Sequence, residues 1–257
     1  MFKLLTLLLL TALATFTSAE QPKFIGYAYD IQTQELLYTE HHTYLNDVLH
    51  EVQYKETDGK LFATKSIDYT HSYFAPDFTQ YNLRNGEKIV IKRKNKRDDE
   101  TKLRYLIQYQ ENTEEKQQKD FISYSPKLII DAGFDHFIAK HWQALISGEE
   151  ISIDYLIPSL LDYYELTIKK ETCQANTQNK TQILVDNQHC FSISASSFFI
   201  GLFSSQLKLT YAQQSDSKDS EIENIDGERI RLMNFQGRSN ISDSKGNYQD
   251  VNIIYQY

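Results

Sequence analysis

Alternation with a period of two runs through this chain far more often than helical spacing does, and it commits most of the chain to β-structure. Val48, His50, Val52 and Tyr54 fall on one side of an extended segment, while Leu49, Glu51, Gln53 and Lys55 fall on the other. Asp58-Gly59 supplies a turn, after which Leu61, Ala63, Ile67 and Tyr69 resume the pattern, so the stretch predicts a hairpin. Residues 87–94 and 102–110 predict a second hairpin, with Leu103, Tyr105, Ile107 and Tyr109 alternating with Arg104 and Gln108. Further strands are expected at 24–31, 36–44, 120–124, 151–157, 165–171, 191–196, 207–212, 229–235 and 251–257.

About a dozen antiparallel strands in one domain must bend, because a long flat sheet leaves open edges that pair with other chains. The expectation is a mainly β fold, a curved sheet or partly open barrel. The 18 tyrosines, against 2 methionines and 4 prolines, suit a pleated surface that is half buried and half wet.

One helix interrupts the strands, at about 131–147. Phe134, Phe137, Ile138, His141, Trp142, Leu145 and Ile146 fall on one helical stripe, with Asp131 as N-cap and Gly148 just past the end. So apolar a face needs a partner, and the concave face of the sheet is the large one on offer.

The first nineteen residues have the form of a secretory signal peptide: Lys3, an apolar run from Leu4 to Phe16, then Thr17-Ser18-Ala19. The run is shorter than the roughly 20 residues that span a bilayer. Cleavage near Ala19 would leave residues 20–257 as a single β-rich domain without a transmembrane segment, periplasmic or secreted. Lys3 is the leader's only charge, so the remainder carries 26 Lys and Arg against 35 Asp and Glu, a net −9. That balance disfavours a nucleic-acid partner. Cys173 and Cys190 flank a polar segment between two strand-like runs, and an even count in an oxidising compartment predicts a disulfide.

No residue pattern specifies catalysis, a metal or a cofactor. Adjacent His41 and His42 face opposite sides of a strand, and with His50 and His71 they read as exposed strand histidines. His136 and His141 lack the i, i+4 spacing of a helical metal pair. Asp131, Asp135, Glu149 and Glu150 bracket the helix and read as capping and turn residues. No serine occupies a G-x-S-x-G elbow, Phe203-Ser204-Ser205 lacking the glycines. Cys190 beside His189 is a poor nucleophile pair if the thiol is bridged. The basic run from Lys92 to Arg97 is answered by Asp98-Asp99-Glu100 and reads as a solvated hairpin tip. Asn179-Lys180-Thr181 and Asn240-Ile241-Ser242 match the glycosylation acceptor pattern. Arg238, Asn240, Asp243, Gly246 and Asn247 read as the frame of a wide turn. If Arg238 points inward instead, it becomes the best anion contact in the chain.

Asp131-Ala132-Gly133-Phe134-Asp135-His136-Phe137, with Trp142, Gly148-Glu149 and Pro158-Ser159, resembles a pattern found in uncharacterised exported proteins of Gram-negative bacteria. So do Phe235 to Asp243 with Gly246 and the closing strand, and Ala75-Pro76-Asp77-Phe78. The C-terminal block also resembles periplasmic domains whose sheet curls like that of the lipoprotein carrier LolA. In such carriers a curved antiparallel sheet and a covering helix enclose an apolar cavity. The resemblance implies that Phe134, Phe137, Ile138 and Trp142 line the lid.

Two functions follow as expectations. The first is a non-enzymatic carrier holding a hydrophobic or amphipathic molecule, which requires a cavity of several hundred Å3. The second is an envelope scaffold with a solid core that meets a protein partner through an apolar patch or open edge.

Overall fold

A computed structural model describes residues 22–96, 99–173, 187–195, 207–214, 222–223 and 229–257. The expected leader, the Phe203-Ser204-Ser205 stretch, the acceptor pattern at Asn179 and the hairpin-tip residues Arg97-Asp98 lie outside them, as does Ser196 of an expected strand.

The first half of the chain is an antiparallel meander: β1 (Phe24–Asp30), β2 (Leu36–Asn46), β3 (Leu49–Lys55), β4 (Leu61–Asp68), β5 (Asp77–Asn82), β6 (Lys88–Lys96), β7 (Asp99–Gln110) and β8 (Gln118–Ser123). A short strand β9 (Leu128–Ile129) and two helices, α1 (Gly133–Lys140) and α2 (Trp142–Ser147), follow. A second meander comprises β10 (Ile151–Ile157), β11 (Asp162–Glu171), β12 (Gln188–Ala195), β13 (Leu207–Gln214), β15 (Arg229–Ser242) and β16 (Tyr248–Gln256), with β14 (Ile222–Glu223) paired to β15 at the side. The meanders fuse where β1 pairs with β16, from Ile25 opposite Gln256 to Asp30 opposite Val251. One curved sheet results, running from β8 through β1 and β16 to β9.

The sheet stays open between β8 and β9, which are consecutive in the chain. Side chains bridge that seam instead of hydrogen bonds: Tyr105, Ile107 and Ile122 share a core cluster with Leu128, Ile130 and Leu156. The pairing of β9 with β10 is parallel, the exception to an otherwise antiparallel path among the described residues.

Thirteen of these sixteen described strands lie where alternation predicts them; β5, β9 and β14 do not. In β5 the inward positions are Phe78, Gln80 and Asn82, all buried, and two of the three are polar. An apolar-in, polar-out template passes over such a strand.

The expected helix is two short ones broken at His141 (φ −102°, ψ 17°). Its N-cap is Ala132, with no side-chain cap, because the Asp131 carboxylate is engaged by Lys65 of β4. Gly148 ends the second helix at φ 98°, a left-handed conformation that glycine adopts freely. Phe137, Ile138, Trp142 and Leu145 pack on Ile153, Leu166, Ile168, Phe191, Leu209 and Tyr211, which face inward from β10 to β13. Each such side chain contributes about 1.5–3 kcal/mol by burial, which holds two helices too short to persist alone.

Cys173 and Cys190 form a disulfide with Cα atoms 5.2 Å apart, joining the end of β11 to β12 beside the Glu171–Cys190 register pair. Among the described residues no helix is long and apolar enough to cross a membrane.

Candidate ligand cavity

The helices cover one half of the concave face. Over the other half, from β1 to β5 and across β16 and β15, the sheet stands away from its cover and encloses a cavity of about 360 Å3. Asp131, Ala132, Phe134 and Asp135 at the start of α1, and residues 155–159 at the end of β10, form the roof. Phe24, Val52, Ile67, Phe78, Ile89, Leu232, Phe235 and Ile253 supply apolar wall from the sheet.

One patch of wall is polar. On β2 the inward phase carries Tyr38, Glu40, His42 and Tyr44; on β3 it carries His50, Val52 and Tyr54. The Tyr255 hydroxyl donates to Glu40 Oε2 at 3.1 Å, His42 Nε2 lies 3.4 Å from the same oxygen, and His42 Nδ1 lies 3.1 Å from His50 Nε2. Phe24 stacks on His42 and Tyr44 on His50, each at 4.1 Å between ring centres, so both imidazoles are held in plane. Gly26 of β1 lies between Glu40 and Tyr255 in the register; a Cβ there would come within 2.7 Å of the Tyr255 ring and 3.1 Å of Glu40 Oε2. The missing side chain lets that bond cross a strand.

Burial dominates the electrostatics. It pushes the His50 pKa well below the ordinary imidazole value, with His42 and Lys65 adding to the shift. It raises the Tyr255 hydroxyl, and the charge of Glu40 adds to that. Glu40 is 3% exposed and His50 4%, and neither Glu40 Oε1 nor His50 Nδ1 has a hydrogen-bond partner among the described residues. A buried polar atom left in this state costs roughly 1–3 kcal/mol.

Next along the wall, Lys65 is ion-paired with Asp131 of the roof. Asp131 adopts φ 45°, a left-handed conformation that Asp tolerates better than most residues, and the turn delivers its carboxylate to the ammonium. Asp135 accepts a 2.5 Å hydrogen bond from the Tyr211 hydroxyl; burial lifts its pKa to about 6 against the lowering effect of that bond.

At the far end the 237–246 block works as structure. Asp243 Oδ1 accepts from the backbone N–H groups of Lys245 and Asn247, and Gly246 takes φ 84°. Gln80 donates to the Asn240 carbonyl at 3.0 Å, Asn82 to the Ser242 carbonyl at 2.8 Å, and buried Glu87 accepts from Ser242, Tyr109 and Tyr248. These bonds tie β15 across the interior to β5 and the start of β6.

Phe134 and Arg238, expected from sequence as contact residues, line the cavity. Phe137, Ile138 and Trp142 do not; they are buried in the solid core beneath the helices. His42 and His50 are not solvent-facing as expected from sequence, whereas His71 is exposed and His41 turns to the other side, bonded to Thr39 Oγ1 at 3.0 Å. Asp131 and Asp135 reach the cavity, while Glu149 and Glu150 stay on the surface. No group of three or more metal-ligating side chains with suitable geometry occurs among the described residues. Strand phase was the signal available for the residues passed over: His50 alternates in step with Val52 and Tyr54, and Lys65 with Ala63 and Ile67.

Comparison with protein-family models, with curated proteins and with solved structures finds no match.

Proposed function

We propose that this protein binds or carries a hydrophobic or amphipathic molecule inside its curved sheet. The observation that carries the reading is the cavity: about 360 Å3, walled chiefly by apolar and aromatic side chains, with a small set of convergent polar groups. That volume falls within the roughly 300–1,000 Å3 of small-molecule sites, and the mixture of lining is theirs too. A curved antiparallel sheet with a helical cover is also the arrangement expected of LolA-like carriers. The form of residues 1–19 supports export, and the Cys173–Cys190 bridge fits an oxidising compartment.

The second reading, an envelope scaffold, draws on β8, an end strand beside which Phe121 and Tyr124 are exposed. It has less support, because it called for a core filled throughout. The test is native mass spectrometry of protein purified without detergent, followed by organic extraction. A co-purifying amphiphile, or saturable uptake of the neutral probe N-phenylnaphthylamine, is the expected result. A protein that carries nothing and takes up no probe would overturn the proposal.

A further inference from the structure

One charged side chain of the lining is left without a partner. Lys65 is taken by Asp131, Asp135 accepts from Tyr211, and Glu40 accepts from Tyr255 with His42 beside it. Arg238 lines the same cavity and has no hydrogen-bond, ion-pair or ring partner among the described residues. A guanidinium is charged at any ordinary pH and only donates. Asp250 stands opposite Arg238 in the register but does not line the cavity, so of the two charges only Arg238 borders the space a guest would fill.

The two ends of the cavity differ in charge. Asn240 and Tyr257 are the exposed residues of its lining, and the β15–β16 ladder separates them: Asn240 lies just past the Arg238–Asp250 pair, Tyr257 just past the Asn234–Ile254 pair. Arg238, half-buried, stands at the first end. At the second, Phe24 stacks on Tyr257 at 4.8 Å and on His42, and buried Glu40 belongs to the row that passes through Gly26 to Tyr255. Asp250 and Tyr255 are five positions apart on β16, roughly 17 Å along the strand. A guest spanning that distance meets a cation beside water at one end, and aromatic rings with a buried carboxylate at the other.

Resting on the carrier reading above, we infer that the guest is an amphiphile with an anionic head, a carboxylate or a phosphate, held by Arg238 at the Asn240 end, its apolar tail running toward Phe24 and Tyr257. A guanidinium grips either head through two parallel hydrogen bonds. Half-burial suits the task, because a charged head sunk fully into an apolar wall loses all its water, while one at the rim keeps part of it. Entry the other way round would set the anion against the Glu40 carboxylate, and like charges in a dry site repel strongly.

The experiment displaces N-phenylnaphthylamine from the intact protein at neutral pH with dodecanoate, dodecyl phosphate, dodecanol and dodecylamine, each kept below its micelle or solubility limit. At least one of the two anions is expected to bind about tenfold tighter than the alcohol, a difference of about 1.4 kcal/mol. Whether dodecanoate or dodecyl phosphate leads tells a carboxylate guest from a phosphate one. Arg238→Gln should bring the anions down to the alcohol and leave the alcohol unchanged, whereas Arg238→Lys, which keeps the charge and loses the fork, should retain part of the advantage. Dodecanol or dodecylamine binding as tightly as both anions, or an anion advantage that survives in Arg238→Gln, would overturn the head-group inference and leave the carrier reading standing. Failure of the probe to bind the native protein would overturn both. The ligand series on the unaltered protein decides the preference even if Arg238→Gln does not fold, and Arg238→Lys then assigns it to the guanidinium.

Discussion

The two halves of the concave face use the same backbone and differ in what covers them. From β10 to β13 the inward side chains are Ile153, Leu166, Ile168, Phe191 and Leu209, and α1 and α2 pack onto them in one core, with Leu166 and Leu209 also reaching the edge of the cavity. From β1 to β5 the inward set includes Glu40, His42, His50, Lys65 and Gln80, and the cavity lies between them and the cover. Polar groups at inward positions interrupt the apolar packing that draws a cover down. The hollow half is thus an outcome of side-chain chemistry at inward positions.

The sharpest way to break the comparison is to carve space where there is none. Phe191→Ala, at a residue 1% exposed in the filled half, should cost about 3–5 kcal/mol, since lost burial and a new void add together. Phe134→Ala, beside space that already exists, should cost about 1–2 kcal/mol, the transfer part of that loss. Urea unfolding followed by the fluorescence of Trp142, the single tryptophan, measures both. Similar costs at the two sites would mean that the halves are equally solid.

Next in size is the latch between them. Lys65→Met strands the Asp131 carboxylate and should cost about 3 kcal/mol, because a buried ion without its partner is worse than no pair. Adding Asp131→Asn should recover most of the loss, and asparagine accepts the left-handed φ there. If the double variant is no more stable than Lys65→Met alone, the pair is not what fastens roof to wall.

The filled half was legible in the sequence and the hollow half was not. Phe137, Ile138, Trp142 and Leu145 follow a 3.6 period, and the strands beneath them alternate cleanly, so hydrophobicity alone identifies helix and partner. Around the cavity the rule inverts. Gln80 and Asn82 hid β5, and His42 and His50 read as surface residues because polarity is ordinarily a sign of water. Asp131 looked like a helix cap; its partner Lys65 lies sixty-six positions earlier, which no local pattern reveals. Arg238 could be singled out from sequence as an anion contact only if it faced inward, and which way it faced was a matter of register, set by pairings distant in the chain.

The Cys173–Cys190 bridge guards the filled half at its margin, joining β11 to β12. Replacing both cysteines by serine should cost roughly 3 kcal/mol, the loop-closure entropy of a segment this long. The loss should appear as a lower urea midpoint with the probe affinity of the cavity unchanged. A weakened probe site would show instead that the bridge supports the hollow half.

A dependence on pH pits buried groups beneath the roof and on the wall against one another. Burial holds His50 well below the imidazole range and His136, packed against Tyr69 and Tyr73, at about 4, so both bind protons more weakly in the fold than in the unfolded chain. Stability from a lowered pKa is present above about 6.5 and lost as pH falls. Asp135, raised to about 6, works the opposite way: it takes its proton in the fold first, and stability from it is present below its unfolded value and lost as pH rises through about 6. Between pH 6 and 4 the unfolded chain therefore holds more of these protons than the fold does, and stability falls as the pH falls. His136→Asn should flatten that slope, and Asp135→Asn should steepen it. Urea midpoints across this range test the pair of changes together: if both variants moved the slope in one direction, the acid and the imidazole would not be opposed in the fold.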